Sequence, residues 1–208
     1  MINYLIIKNI FDRTFGIIII IILIPIYILI ALLIKVTAPR DPIFFYQEVM
    51  GINATKFKFI KFRTMVPHEI DYNLRKDNAN SHCGEIPLNH SEVTFIGRIL
   101  RRFKIDEITQ FFHVVSGKMS IIGPRPMDPA RYKYSNEFER QRLLVKPGLT
   151  GLAQVSGNTH FTWEERIQFD ILYIKNMSLK LDIHIFIKTF EVVICGEKIN
   201  NEIQKNIF

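Results

Sequence analysis

The chain has 208 residues, 48% of them apolar, enough to build the core of one ordinary domain beside a membrane element. Lysine and arginine number 27 against 20 acidic residues, so the formal charge of +7 points to phosphates, anionic lipid or nucleic acid as partners without choosing among them. The two cysteines, Cys83 and Cys195, lack CxxC or metal-ligand spacing, and the six histidines form no HExxH pattern, which argues against a disulfide scaffold and a zinc centre.

In chain order, Ile2, Leu5, Ile6, Ile10 and Phe11 fall at helical spacing with Lys8, Asn9, Asp12 and Arg13 around the rest of the turn, as in an interfacial helix. Phe15 to Ile34 then runs for twenty residues without a charge, which as straight helix would be about 30 Å long and could cross a hydrocarbon core. Two details favour re-entry over a straight span. Pro25 at the centre of the run removes a backbone hydrogen bond and bends the helix. Lys8 and Arg13 before the run and Lys35 and Arg40 after it would both prefer the cytoplasmic side.

Thr37 to Pro42 reads as a loop, Ile43 to Tyr46 as a short strand, and Phe57 to Arg63 as a second strand with Phe57, Phe59, Lys61 and Arg63 on one face. Residues 68 to 94 are polar and read as a long surface loop with at most one helical turn. From Phe95 to Ser116 the apolar spacing predicts two consecutive helices, the second closed by Gly117. Pro147 and Gly148 predict a turn with positive φ at the glycine, and Thr162 to Asn176 and Leu181 to Ile194 predict two more helices before a polar tail. The boundaries expected are a membrane segment over 1–36, a cytosolic domain over 37–195 and a tail over 196–208. The fold class expected is α+β: a mostly helical monotopic membrane protein with a re-entrant, proline-kinked N-terminal helix, interfacial amphipathic helices and a small β element.

Asp106 and Glu107 follow the basic cluster Arg98, Arg101, Arg102 and Lys104. By spacing alone the leading reading is structural, with Asp106 as a helix N-cap and the arginines as a solvated or headgroup-facing surface. The chemical reading is that three arginines at i, i+3 and i+4 form a phosphate clamp. On that reading a carboxylate at a helix N-terminus also stays ionised, as a nucleophile must. Arg125 lies between two prolines in the stretch GPRP at 123–126, which stiffens its backbone and suits an anionic ligand; a rigid turn with an ordinary surface arginine is the alternative. No P-loop or dinucleotide-binding fingerprint is present.

Taken together and in order, these segments resemble the bacterial sugar transferase family, the polyprenyl-phosphate hexose-1-phosphate transferases. The stretches that carry the resemblance are DPIFFYQEVMG at 41–51, KFIKFRTM at 58–65, IGRILRRFKIDEITQFFHVVSGKMSIIGPRP at 96–126, KPGLTGLAQVSGN at 146–158 and FDILYIKNMSLKLDI at 169–183. The resemblance is to the small monotopic phosphoglycosyl transferase branch. It implies that Asp106 attacks a UDP-sugar, that UMP leaves, and that the aspartyl phosphosugar passes to polyprenyl (undecaprenyl) phosphate in the first membrane step of glycan or glycoconjugate assembly. It also implies Mg²⁺ held by Asp106 and Glu107, Arg101 on the acceptor phosphate, and Arg125, Lys61, Arg63 and Asp170 at other substrate- or phosphate-binding positions of the active site. The setting implied is the cytoplasmic face of the bacterial inner membrane, with lipid and downstream glycosyltransferases as partners and no nucleic acid. The chain departs from the family pattern at Ile24 before Pro25, where serine is usual, at Thr109 for proline, His113 for asparagine, Lys118 for an acidic residue, and SEVT at 91–94. The competing expectation is a membrane-tethered protein that binds anionic lipid or nucleic acid through its basic face without chemistry.

Overall fold

The structure is a computed structural model that describes residues 2–66, 89–157 and 160–195. The expected interfacial segment and apolar run form one helix, α1 (Ile2–Thr37), with Pro25 inside it. A straight helix of that length would extend about 54 Å, well beyond a hydrocarbon layer of about 30 Å. Its most apolar stretch has a mean hydropathy of 3.5, and only 11% of that stretch is buried by the rest of the chain. Pro25 offers no N–H to the carbonyl of Ile21, one turn back.

An interfacial helix would turn its polar face to water, but the first turns of α1 do the reverse. Lys8 Nζ donates to Asp182 at 2.6 Å, and Asp12 accepts from the Ser120 hydroxyl at 2.5 Å. Leu5, Ile6, Ile10 and Phe11 are exposed instead. Polar side chains therefore attach this helix to the protein while its apolar side faces outward, as suits a lipid environment.

Strands β1 (Phe44–Met50) and β2 (Lys56–Phe62) pair antiparallel, with Tyr46 opposite Ile60. Both run longer than, or slightly offset from, the expected segments. The turn between them uses left-handed Asn53 and Ala54, at φ 52° and 58°. Side-chain alternation sends Phe57 and Phe59 into the main core with Val114, Met119 and Tyr173. Phe62 points to the opposite face, into a second cluster with Ile30, Ile34 and Leu100. The hairpin is thus clamped between the body and the last turns of α1.

Helix α2 (Phe95–Arg102) starts at Thr94, whose hydroxyl accepts from Gly97 N. It ends in Phe103 and a left-handed Lys104, after which Ile105–Gln110 forms a 3₁₀ helix continuing into α3 (Phe111–Val115). Of the two helices expected here, the second therefore opens as a 3₁₀ turn, and Gly117 closes it at φ +77° as expected. Strand β3 (Ser120–Ile122) pairs parallel with β4 (Gly148–Thr150).

The predicted Pro147–Gly148 turn is corrected by that pairing. Gly148 opens a strand, its N–H donates to Pro124 O at 2.8 Å, and a Cβ there would collide with the backbone of Gly123. Close backbone approach, not positive φ, accounts for the glycine. Short helices α4 (Pro129–Tyr134), α5 (Glu137–Arg140) and α6 (Leu152–Ser156) lead to α7 (Trp163–Lys175) and α8 (Leu179–Cys195). A capping box between Thr162 and Glu165 starts α7. Most of the expected 68–94 loop, and the tail at 196–208, lie outside the described residues.

Candidate active site

The left-handed Lys104 turns the chain so that the two carboxylates enter the first turn of the 3₁₀ helix. Asp106 is therefore not the N-cap that spacing favoured; Lys104 holds that position without a side-chain cap bond. Burial also separates the pair. Asp106 is only 6% exposed, whereas the Glu107 side chain is 25% exposed. Two neighbouring elements fix this segment, because Tyr27 of α1 donates to Ile108 O at 3.0 Å and the Thr109 hydroxyl donates to Ile60 O of β2 at 2.8 Å.

Glu107 collects the basic residues. Lys61 Nζ lies 2.9 Å from its Oε1 and Arg125 Nη2 lies 3.9 Å from the same oxygen. Burial pushes its pKa up, but the Lys61 and Arg125 charges and the Lys61 hydrogen bond override this and hold it well below the usual carboxylate range. Asp106 moves the other way. Burial raises its pKa, the Glu107 charge raises it further, and Lys61 and Arg101 only partly oppose them. Burial and a like charge therefore outweigh the pull of the helix N-terminus in direction, raising the Asp106 pKa above its ordinary value. Adjacent carboxyls in such different environments can take different roles.

Arg101 leaves α2 half-buried, with Nη1 buried and lacking a hydrogen-bond partner among the described residues. Arg98 and Arg102 of the same cluster are exposed. A buried guanidinium nitrogen without an acceptor, electrostatically felt by Asp106, suits an incoming anion.

Arg63, Asp170 and Pro25 are placed elsewhere. Arg63 is 6% exposed and spends its donors on Pro42 O at 2.7 Å, Met65 O at 3.0 Å and Asp41 at 3.3 Å, so it braces the strand end rather than facing the carboxylates. Asp170 is 1% exposed and lies 2.5 Å from Arg142, which itself donates to Arg125 O at 2.9 Å. That ion pair is close but poorly aligned, since neither Asp170 oxygen receives a well-directed hydrogen bond. Burial pushes Asp170 up to about 6 against the pull of Arg142, Arg166 and Arg125. Asp170 thus reaches the site through Arg142 and the Arg125 backbone. Pro25 belongs to α1, two residues before the Tyr27 that bonds to Ile108 O, and joins none of the dyad's ion pairs.

Two residues absent from the sequence reading join the site. Arg142 carries no local signal, because its partners lie 17 and 28 positions away in a different part of the chain. Gln110 ends the 3₁₀ segment that carries the dyad, 2% exposed with Nε2 lacking a partner among the described residues. Among the described residues no three acidic, histidine or cysteine side chains cluster as a ready-made metal cage. The two adjacent carboxylates do fit a cation that takes few protein oxygens and keeps water and substrate phosphates as its other ligands.

Comparison with known proteins identifies the family. The description "bacterial sugar transferase" matches residues 3–196. A UDP-glucose:undecaprenyl-phosphate glucose-1-phosphate transferase of Xanthomonas campestris pv. campestris is 36% identical over 94% of this chain and 40% of its own length. An undecaprenyl-phosphate galactose phosphotransferase of Salmonella typhimurium is 35% identical over 90% of this chain and 40% of its own. The exopolysaccharide production protein ExoY of Sinorhizobium fredii is 32% identical over 89% and 84%. The chain spans about two fifths of the length of the first two relatives. With the family matched over nearly its whole length and the carboxylate pair set among Lys61, Arg101 and Arg125, the chain belongs to the bacterial sugar transferase family.

Proposed function

We propose that this chain transfers a sugar-1-phosphate from a UDP-sugar to polyprenyl phosphate through a covalent intermediate on Asp106. The observation that carries the reading is the buried Asp106 carboxyl beside Arg101, whose Nη1 is buried without a partner among the described residues. The names of the relatives from Xanthomonas and Salmonella support the donor and acceptor classes.

An Asp106 oxygen attacks the sugar-side phosphorus, the bond from that phosphorus to the bridging oxygen breaks, and UMP departs with the bridging oxygen. A phosphate oxygen of the polyprenyl carrier then attacks the same phosphorus, and the Asp106 carboxylate leaves. Covalent catalysis divides one difficult transfer into two steps and keeps two polyanions from having to react with each other directly. Lys61 and Arg125 orient Glu107 and face the donor phosphates, and Arg101 receives the acceptor phosphate. Asp106 and Glu107 would hold Mg²⁺, which when bound neutralises diphosphate charge.

The same reading sets the chain at the cytoplasmic face of the inner membrane, with α1 re-entrant. One face of α1 touches the body towards both of its ends: Tyr4 and Lys8 on Asp182, Asp12 on Ser120, Tyr27 on Ile108, and Ile30 and Ile34 in the cluster with Phe62. A helix crossing straight to the far side would carry one end away from that body. An outward apolar stripe on α8, Leu179, Ile183, Ile187, Phe190 and Ile194, supports an interfacial role for that helix.

The test is UMP release from a panel of UDP-sugars with Mg²⁺ and polyprenyl phosphate. Asp106→Asn is expected to abolish release while membrane association survives; full turnover by that variant would sink the covalent mechanism. Single cysteines at the two flanks of α1 should be labelled from the same side of sealed vesicles, and labelling from opposite sides would remove the re-entrant reading.

A further inference from the structure

Among the described residues strand β2 belongs to a two-stranded sheet, so the edge facing away from β1 has no strand there to pair with. At Ile60 that edge is closed by two side chains from the segment that carries the dyad. The Thr109 hydroxyl donates to Ile60 O at 2.8 Å, and Ile60 N–H donates to His113 Nε2 at 3.1 Å. Thr109 is 1% exposed and His113 is 5% exposed, so neither bond competes with water. The His113 ring is stacked on Phe59 at 5.9 Å between ring centres and meets Phe57 edge-on at 5.3 Å. Both backbone groups of one residue are therefore held by rigidly packed side chains. The next residue along β2 is Lys61, whose ammonium lies 2.9 Å from Glu107.

From this geometry we infer that Thr109 and His113 are positioning residues, which fix the distance between Lys61 and Glu107 by clasping β2 at Ile60. The inference rests on the transfer reading for its effect on rate, but the clasp itself is independent of it. Lys61 has a flexible four-carbon stem, and an ammonium on such a stem is only as well placed as the backbone that carries it. Glu107 stands two residues before Thr109, so the hydroxyl that grips β2 and the carboxylate that meets Lys61 belong to one turn of 3₁₀ helix. The imidazole must offer a lone pair at Nε2. Burial and the Lys118 charge press its pKa down to about 4, which keeps it neutral and able to accept.

The experiment measures two quantities on the full chain in detergent: acylation of Lys61 by an amine-reactive succinimidyl ester, followed by mass spectrometry, and UMP release. Thr109→Val replaces the hydroxyl by a methyl at near-equal volume. It is expected to speed Lys61 acylation about fivefold, the factor equivalent to one hydrogen bond of about 1 kcal/mol. It is also expected to lower kcat about tenfold or more through misplacement of the ammonium. His113→Leu should act in the same direction, and Thr109→Ser should restore both readings. In a Lys61→Met background, Thr109→Val should cost nothing further, because its effect passes through Lys61. A natively melting Thr109→Val with unchanged acylation and kcat would overturn the inference, as would an equal loss of rate in the Lys61→Met background. Should that variant not melt natively, Thr109→Ala removes the hydroxyl without adding a buried methyl and is read in the same way. If the wild type released no UMP from any donor while acylation still responded to Thr109, the transfer reading would fall and the clasp would stand.

Discussion

Replacing Lys8 and replacing Asp182 should have unequal costs, although the two form a single ion pair of 2.6 Å. The pair is nearly dry, with side-chain exposures of 9% and 10%. Asp182 accepts three bonds: from Lys8, from Tyr4 OH at 2.5 Å, and from Tyr173 OH at 2.8 Å on its other oxygen. Lys8→Met keeps the stem and leaves the carboxylate with two hydroxyl donors, so the loss is one charge-assisted hydrogen bond, about 1.5–3 kcal/mol. Asp182→Asn breaks the pair and leaves the buried ammonium only the more distant Asp12, one turn along α1, as a counter-charge, about 3–5 kcal/mol. At roughly 2–4 °C per kcal/mol for a chain of this size, the midpoints should drop by about 3–12 °C and about 6–20 °C respectively. Thermal unfolding in detergent, followed through the single tryptophan, Trp163, measures both. The double variant should melt higher than the sum of the single losses, since it contains no stranded charge. The reasoning is refuted if Lys8→Met costs as much as Asp182→Asn, or if the two losses add.

His113 makes stability depend on pH. Its folded pKa is about 4 against an ordinary value of 6.5, so between those values the unfolded chain binds a proton that the folded chain refuses, and stability falls as pH drops. The loss through that window is about 3 kcal/mol at 1.36 kcal/mol per pKa unit, and acid denaturation midpoints of His113→Asn should lack it. Lys61→Met should lower kcat for UMP release about a hundredfold with the circular dichroism unchanged, as expected for loss of one half-buried charged donor at the site. Arg142→Lys retains the charge near Asp170 but loses the forked donor to Arg125 O. It should reduce kcat/KM about tenfold, a barrier change of about 1.4 kcal/mol, measured by steady-state UMP release.

How far the sequence reached follows from the separation of the partners. Local signals survived: Gly117 closing a helix, the spacing that opens α2 at Phe95 and places α7 from about Thr162, and the alternating strand that carries Lys61. The cluster of Lys61, Arg125 and Glu107 was legible only through motif order, since Lys61 and Glu107 are 46 positions apart. Readings that treated a segment in isolation went astray. The polar side of the first helix looked solvent-facing because its partner Asp182 is 174 residues downstream of Lys8. Gly148 looked like a turn because nothing local announces a parallel strand against 120–122. Arg63 continued the alternation of β2 on paper, but the strand ends at Phe62 and Arg63 turns to brace the loop around Pro42.

The departures from the family pattern divide in the same way. Thr109, His113 and Lys118 differ from what is usual at their positions, and read singly each weakens the resemblance. In three dimensions they act on one another. Thr109 and His113 hold the two backbone groups of Ile60, and the Lys118 charge helps keep the imidazole neutral enough to accept that bond. A substitution that looks like erosion along the chain is thereby part of a local set that leaves Asp106, Glu107, Lys61 and Arg125 in register. Testing the set is a matter of exchanging it whole. Thr109→Pro alone should break the grip on Ile60, because proline has no hydroxyl to donate, and should lower UMP release. In a triple exchange of Thr109→Pro, His113→Asn and Lys118→Glu, the change at 118 should cost nothing beyond what Thr109→Pro and His113→Asn lose together, whereas beside an intact His113 it should lower the rate, because an asparagine amide has no protonation for the charge at 118 to govern. Strict additivity of the three changes in UMP-release rate would show that they are independent after all.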